Sequence, residues 1–254
     1  DIHVPAHIQM EGYDVPQYAN VQYPWEGHDE IRPGEIPEYF NPVASYVKYF
    51  TVPEKMKGRR LFISFQGAES GLALWLNGEF VGYSEDSFTP SEFELTDYVK
   101  EGENKLAAQV FKWTASSWCE DQDFYRFSGI YRDVYLYTVP DVHVRDLEIR
   151  AVPDETLKRA ALTVRLETMV SGSAEAGKAV FVLERAGQAV FREEKQLGEE
   201  NAYSFTVEEP KLWSAEEPNL YDLRIEIYDA ESVLQEIIPE KVGFRRFEMK
   251  DHIM

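Results

Sequence analysis

The sequence holds a single cysteine, Cys119, among 254 residues. An intrachain disulfide is therefore impossible, which suits a reducing, cytoplasmic setting. Basic side chains are scarce as well, with 26 Lys and Arg against 46 Asp and Glu and a net charge of -20. Such a field repels phosphate backbones and anionic lipid but is indifferent to a neutral ligand, so neither nucleic acid nor a membrane is expected as a partner. No apolar run approaches the roughly 20 residues that span a bilayer as a helix. His3, His7, His28, His143 and His252 show no zinc-type spacing with one another or with Cys119. The twelve-residue calcium loop and the phosphate-cradling glycine loop are missing too.

Helix caps followed by a helical period are nearly absent, and a period of two takes their place. Residues 1 to about 42 carry Pro5, Pro16, Pro24, Pro33, Pro37 and Pro42. Proline removes an amide donor and fixes φ, so this stretch reads as an extended arm wrapped over a domain. From Ser45 the alternation begins: Leu61, Ile63 and Phe65 against Phe62, Ser64 and Gln66, then Leu72, Leu74 and Leu76 against Ala73, Trp75 and Asn77. Asn77-Gly78 supplies the two positive-φ positions of a type I′ hairpin, with 79–84 as the returning strand. Further strands are predicted over 92–95, 105–113 and 131–138.

Pro140 interrupts the pattern and marks a domain boundary, with a β-sandwich over 1–139. Beyond it, strands are predicted over 142–152, 161–170, 179–185, 188–195, 202–207, 220–228 and 233–247, with Ala186-Gly187 as the clearest turn. Tyr221, Leu223, Ile225 and Ile227 face one way and Asp222, Arg224 and Glu226 the other, as in a half-buried antiparallel strand. About seven short strands in such a span point to an immunoglobulin-like sandwich over 140–248. Trp213, after Pro210 and before a strand, reads as a core plug rather than a ligand platform.

The most informative stretch is 117–134, Ser-Trp-Cys-Glu-Asp-Gln-Asp-Phe-Tyr-Arg-Phe-Ser-Gly-Ile-Tyr-Arg-Asp-Val. It joins two strand-like runs, so its polar centre falls in a loop, the usual place for binding chemistry. Glu120, Asp121 and Asp123 are interleaved with Trp118, Phe124 and Tyr125. Carboxylates accept hydrogen bonds from hydroxyls and aromatic rings cover apolar patches, a combination that suits a sugar. A solvated acidic loop anchored by core aromatics has the same composition. Within it, Cys119 reads as a buried or idle thiol, Ser128 as a turn residue, and Arg126 and Arg132 as ion-pair partners of Asp121 or Asp133.

This run resembles the signature of the sugar-binding domain of bacterial β-galactosidases in glycoside hydrolase family 2. The segment from Val4-Pro5 through Gly12-Tyr13-Asp14-Val15-Pro16 to Tyr18-Ala19-Asn20-Val21 and Tyr23-Pro24 is similar to an earlier part of the same domain. Leu74-Trp75-Leu76-Asn77-Gly78, Gly82-Tyr83-Ser84, Leu212-Trp213-Ser214, Pro218-Asn219-Leu220-Tyr221 and Val242-Gly243-Phe244-Arg245 agree with it further on, so the likeness covers essentially the whole chain.

The resemblance implies an all-β fold: a jelly-roll, galactose-binding-like sandwich followed by the immunoglobulin-like one. It implies that Asn20 and Asp123 bind substrate in a galactose pocket, and that Asp123 is also a metal ligand, for a monovalent cation completed by a catalytic barrel. Mg and Na are the cofactors it implies for the full-length protein, with none in this piece. It gives residues 249–254 the look of a truncated linker to an absent (β/α)8 barrel, and the start the look of lacking the first strand of the jelly roll. Both catalytic carboxyl groups of such enzymes lie on barrel strands, so no catalytic residue is assigned to Glu120, Asp121 or Asp123, and this piece alone is expected to be inactive. The expected function is the non-catalytic N-terminal part of a β-galactosidase, partnered by a galactoside, by its own barrel and by further copies of the same subunit. A free-standing carbohydrate-binding module, or the same piece of a β-glucuronidase or β-mannosidase, is the alternative.

Overall fold

The computed structural model describes residues 1–26, 29–32, 35, 37, 39–120, 123–198 and 201–249. The chain divides into two compact units, Asp1–Thr138 and Val139–Met254.

In the first unit the strands are β1 (Gln17–Ala19), β2 (Val43–Thr51), β3 (Arg60–Phe65), β4 (Ala68–Glu69), β5 (Gly71–Leu76), β6 (Glu79–Ser84), β7 (Ser91–Glu94) and β8 (Glu103–Phe111). One helical turn, α1 (Ser117–Glu120), precedes β9 (Phe124–Arg126), β10 (Gly129–Ile130) and β11 (Val134–Val139). Among the described residues, β2-β8-β5-β6 form one sheet and β11-β3-β7 another, with two-strand ladders β1-β9 and β10-β4 beside them. The alternation explains why these two sheets close on each other. Leu61, Ile63 and Phe65 of β3 and Leu72, Leu74 and Leu76 of β5 lie in one core with Leu95, Ala108 and Val110. Each fully buried leucine contributes about 1.5–3 kcal/mol of transfer free energy, so these rows fix the register. Asn77 at φ 54° and Gly78 at φ 92° make the tight turn between β5 and β6. That conformation matches the right-handed twist of the flanking strands. The Asn77 side chain locks it, accepting from the Lys105 amide at 3.0 Å and donating to the Tyr98 carbonyl at 2.9 Å and to Asn104 Oδ1 at 2.8 Å.

Among its described residues the second unit has seven strands: β12 (Val142–Pro153), β13 (Arg159–Val170), β14 (Ala176–Arg185), β15 (Gln188–Gln196), β16 (Asn201–Glu208), β17 (Tyr221–Asp229) and β18 (Leu234–Val242). They pair as β12-β13-β16 and β15-β14-β17-β18, the three-plus-four arrangement of an immunoglobulin-like sandwich. Ala179, Phe181, Leu183, Leu223, Ile225 and Ile227 meet Leu162, Val164, Phe205 and Val207 in its core. Ala186 and Gly187, both at positive φ, turn β14 into β15. Trp213 is half-buried, with Arg245 over its ring at 5.3 Å and the Gly243 backbone against its side chain. It packs at the edge of the sandwich rather than filling its centre.

The structure corrects three local readings. Cys119 is exposed rather than buried, because α1 carries it on the outside of a surface turn. Arg132 donates to the carbonyls of Gln66 at 3.2 Å and Phe88 at 2.8 Å, and Arg126 to the carbonyl of Gln22 at 2.5 Å. A guanidinium has five donors, and Arg132 uses its own on loop backbone rather than on Asp133; the reading that pairs Arg126 with Asp121 falls on a residue outside the described ones. Finally, part of 117–134 is strand, since β9 is called into being by a partner, β1, from the proline-rich arm.

Candidate functional site

The arm reaches the 117–134 segment through a series of polar anchors. Gln9, buried, accepts from the Ser128 amide at 3.0 Å and donates to the Ser128 hydroxyl at 2.9 Å and to Asp14 Oδ2 at 2.8 Å. Lys112, 3% exposed at the end of β8, donates to the same Asp14 oxygen at 2.7 Å. Burial opposes ionisation of Asp14. The hydrogen bonds from Lys112, Gln9 and the Val15 amide, with the charge of Lys112, outweigh that penalty and hold the carboxyl below its usual range.

Past Asp14 the arm becomes β1 and pairs antiparallel with β9, Gln17 opposite Arg126, Tyr18 opposite Tyr125 and Ala19 opposite Phe124. The next residues on the two strands are Asn20 and Asp123, so the register brings both to the same end of the ladder. Each is exposed. Asp123 sits at φ 48°, in the left-handed region that reverses the chain into β9. Its Oδ1 accepts a 2.6 Å hydrogen bond from the Tyr18 hydroxyl. The carboxylate beside it holds the Tyr18 phenol above its usual pKa, chiefly through that hydrogen bond.

A column of rings supports this end of the ladder. Tyr18 lies 5.1 Å from Tyr125, Tyr125 5.9 Å from Phe127, Phe127 4.7 Å from His7 and His7 5.0 Å from Tyr131, with the Arg132 guanidinium 5.1 Å over the last ring. Tyr131 then donates to the Ser87 carbonyl at 2.5 Å. Burial lowers the pKa of His7, so the imidazole in the column is neutral at physiological pH. On the other side, Tyr23 stacks on Trp118 at 5.4 Å, and Trp118 lies 6.2 Å from buried Trp25.

Chemically, the edge offers one carboxylate, one amide and flanking aromatic faces. Glu120 is used elsewhere, its two oxygens accepting from the Ser87 amide at 3.3 Å and hydroxyl at 2.6 Å. Asp121 lies outside the described residues. Among the described residues no three His, Cys, Asp or Glu side chains gather as a metal centre. Oxygen donors such as Asp123 and Asn20 fit a hard cation in type, but two side chains fall short of the coordination such an ion takes. The sequence could not show Tyr18 as a partner of Asp123. Its hydroxyl meets the carboxylate only after the arm has folded across the sandwich.

The sheets and the exposed edge define a two-domain all-β protein, a jelly roll and an immunoglobulin-like sandwich in one chain. Residues 1–140 match the sugar binding domain of the glycosyl hydrolases family 2, and residues 142–245 match a second domain of glycosyl hydrolases family 2. The chain belongs to glycosyl hydrolases family 2. Over its whole length it is 51% identical to a β-galactosidase of Halalkalibacterium halodurans, of which it covers 25%, and 50% identical to one of Clostridium acetobutylicum, of which it covers 28%. It thus spans about a quarter of the length of these curated relatives. A crystal structure of Bacteroides uniformis β-glucuronidase superposes with a TM-score of 0.71 at 24% identity, over 84% of this chain and 27% of that one, a likeness of fold alone.

Proposed function

We propose that the chain is the non-catalytic N-terminal part of a β-galactosidase and that its first domain, 1–139, contributes Asn20 and Asp123 to a galactose pocket. The observation that supports this reading is the β1–β9 register, which brings Asn20 and Asp123, both exposed, to the same end of a ladder. Identities of 51% and 50% to β-galactosidases favour that parent over a β-glucuronidase, for which only the fold speaks. Asp123 would give one oxygen to a Na ion whose other ligands, like the Mg of the full-length enzyme, belong to a catalytic barrel outside this sequence. The immunoglobulin-like domain, 140–248, would hold that barrel and neighbouring subunits. Among the described residues no helix is long and apolar enough to cross a membrane, and a cytoplasmic location is part of the proposal.

Retaining hydrolysis needs two carboxyl groups about 5 Å apart, one kept protonated and one ionised. The described carboxylates here are committed singly, Asp123 to Tyr18 and Glu120 to Ser87. The 254-residue chain should therefore not turn over a chromogenic β-galactoside. Two or three hydrogen bonds at about 1 kcal/mol each barely offset the immobilisation of a monosaccharide, so calorimetry should give a Kd near or above about 1 mM. Turnover proportional to protein and lost in Asp123→Ala would overturn the reading. Tight binding without turnover would make the chain a free-standing carbohydrate-binding module instead.

A further inference from the structure

We infer that Tyr18 is a positioning residue for Asp123, presenting the second oxygen of its carboxylate to a sugar hydroxyl. The inference rests on the galactose-pocket reading and adds to it a group that touches no substrate. Three observations carry it. The Tyr18 hydroxyl donates to Asp123 Oδ1 at 2.6 Å, and among the described residues Oδ2 takes no hydrogen bond. An ionised carboxylate has about four acceptor sites, so fixing one oxygen orients the other without using it up. Asp123 also stands at φ 48°, a conformation that costs an aspartate free energy and survives only where surrounding structure imposes it. The surroundings are unusually complete: Tyr18 is paired across the ladder with Tyr125, and that ring ends the column through Phe127 and His7 to Tyr131.

Exposure argues for the same role. Tyr18 is 56% exposed, so its ring is not there to fill a core, and a hydroxyl lost from it removes almost no buried surface. An exposed carboxylate on a turn otherwise samples several rotamers, and a ligand that needs one of them must bear the entropy of selecting it. The phenol removes that selection beforehand. Because the carboxylate raises its pKa, the phenol stays a donor throughout the neutral range.

The test is steady-state kinetics in the full-length β-galactosidase that the proposed function calls for, with Tyr18→Phe, Asp123→Asn and Asp123→Ala compared on a β-galactoside and on its monodeoxy analogues. Tyr18→Phe should raise KM roughly three- to tenfold with kcat changed less, the worth of one hydrogen bond to substrate binding. The deoxy analogue whose KM is insensitive to Asp123→Ala identifies the hydroxyl that Asp123 holds. Tyr18→Phe must lose its effect on that same analogue, because the two side chains would act through one contact. A merely structural role would instead lower the active fraction, seen as a lower kcat at unchanged KM on every substrate, and would overturn the inference. If Asp123→Ala raises KM while Tyr18→Phe changes nothing, the inference fails and the pocket stands. If Asp123→Ala leaves KM unchanged on all substrates, the pocket reading itself fails and takes the inference with it. Asp123→Asn keeps the acceptor for Tyr18 and tolerates the left-handed backbone, so it separates loss of charge from loss of position.

Discussion

Replacing Asp14 by alanine should destabilise the first unit by about 3 kcal/mol. Lys112, whose side chain is 2% exposed, shares Asp14 Oδ2 with Gln9, and its ammonium lies 5.9 Å over the Trp113 ring. Alanine at 14 would strand a buried ammonium and remove a partner of a buried amide. Breaking a buried pair from one side costs about 3–5 kcal/mol. The lower end applies because Asp14 is itself 18% exposed, so water can enter where its carboxylate stood. For a unit of this size 3 kcal/mol lowers Tm by roughly 10 °C. Urea unfolding followed by tryptophan fluorescence measures the change, with Trp25 and Trp113 in the affected region. The double variant Asp14→Ala/Lys112→Met should recover most of the loss, since an apolar chain needs no counter-charge. A single-variant cost under about 1 kcal/mol, or a double variant no better than the single, would refute the argument that the pair is buried and mutually dependent.

Acidification should weaken the first unit in two stages of the same sign. Burial lowers the pKa of His7, so the unfolded chain takes up that proton first and stability falls as pH drops below about 6.5. The Asp14 carboxyl is also lowered, so its contribution is complete above about 3.8 and is lost as pH falls through the folded value. Chemical unfolding across pH should show His7→Phe erasing the first stage and Asp14→Asn the second; a stability maximum below about pH 5 would contradict the first, and stability undiminished on acidification below about pH 3 the second. In the second unit, Gly177→Ala places a Cβ 2.0 Å from the Asp229 carbonyl oxygen, a backbone atom beside the bulge between β14 and β17. A loss of about 3 kcal/mol or more in thermal unfolding is expected, against less than about 0.5 kcal/mol for Gly198→Ala, which meets nothing within 4 Å.

Strands that pair with a sequence neighbour were legible because their information is local. Asn77-Gly78 and Ala186-Gly187 turn as their residue types require, and the described strands beyond Pro140 begin and end close to the alternation that marks them, except that the last, expected over 233–247, stops at Val242. β14 breaks the alternation, since Ala179 through Leu183 are all buried. Val180 and Val182 on its outer side lie between Glu194, Arg192, Arg224 and Glu226 on the adjoining strands, whose long chains cover them. The candidate site was legible as a composition and not as a geometry. Asp123 could be quoted from its motif, but its left-handed backbone leaves no mark in sequence, where glycine would have. β1 was hidden among prolines, and three residues facing another three have no period to detect. Lys112, set between Phe111 and Trp113 at the end of an apolar strand, was the one local hint that a distant carboxylate must arrive.

The separations that join the arm to the rest determine when the site forms as well as where. Tyr18 and Asp123 are 105 positions apart, Gln9 and Ser128 119, and Asp14 and Lys112 98. Closing a flexible loop of that length costs about 4 kcal/mol in chain entropy, more than a three-pair ladder returns by itself. Once β2 has zipped onto β8, Val43 lies opposite Phe111 and most of the intervening chain is already spoken for. The arm then has only the short connections before Val43 and after Phe111 left to close. Order of assembly follows: the four-stranded sheet comes first and the Asn20–Asp123 edge last, so under mild denaturing stress that edge opens while the sandwich beneath it is still intact.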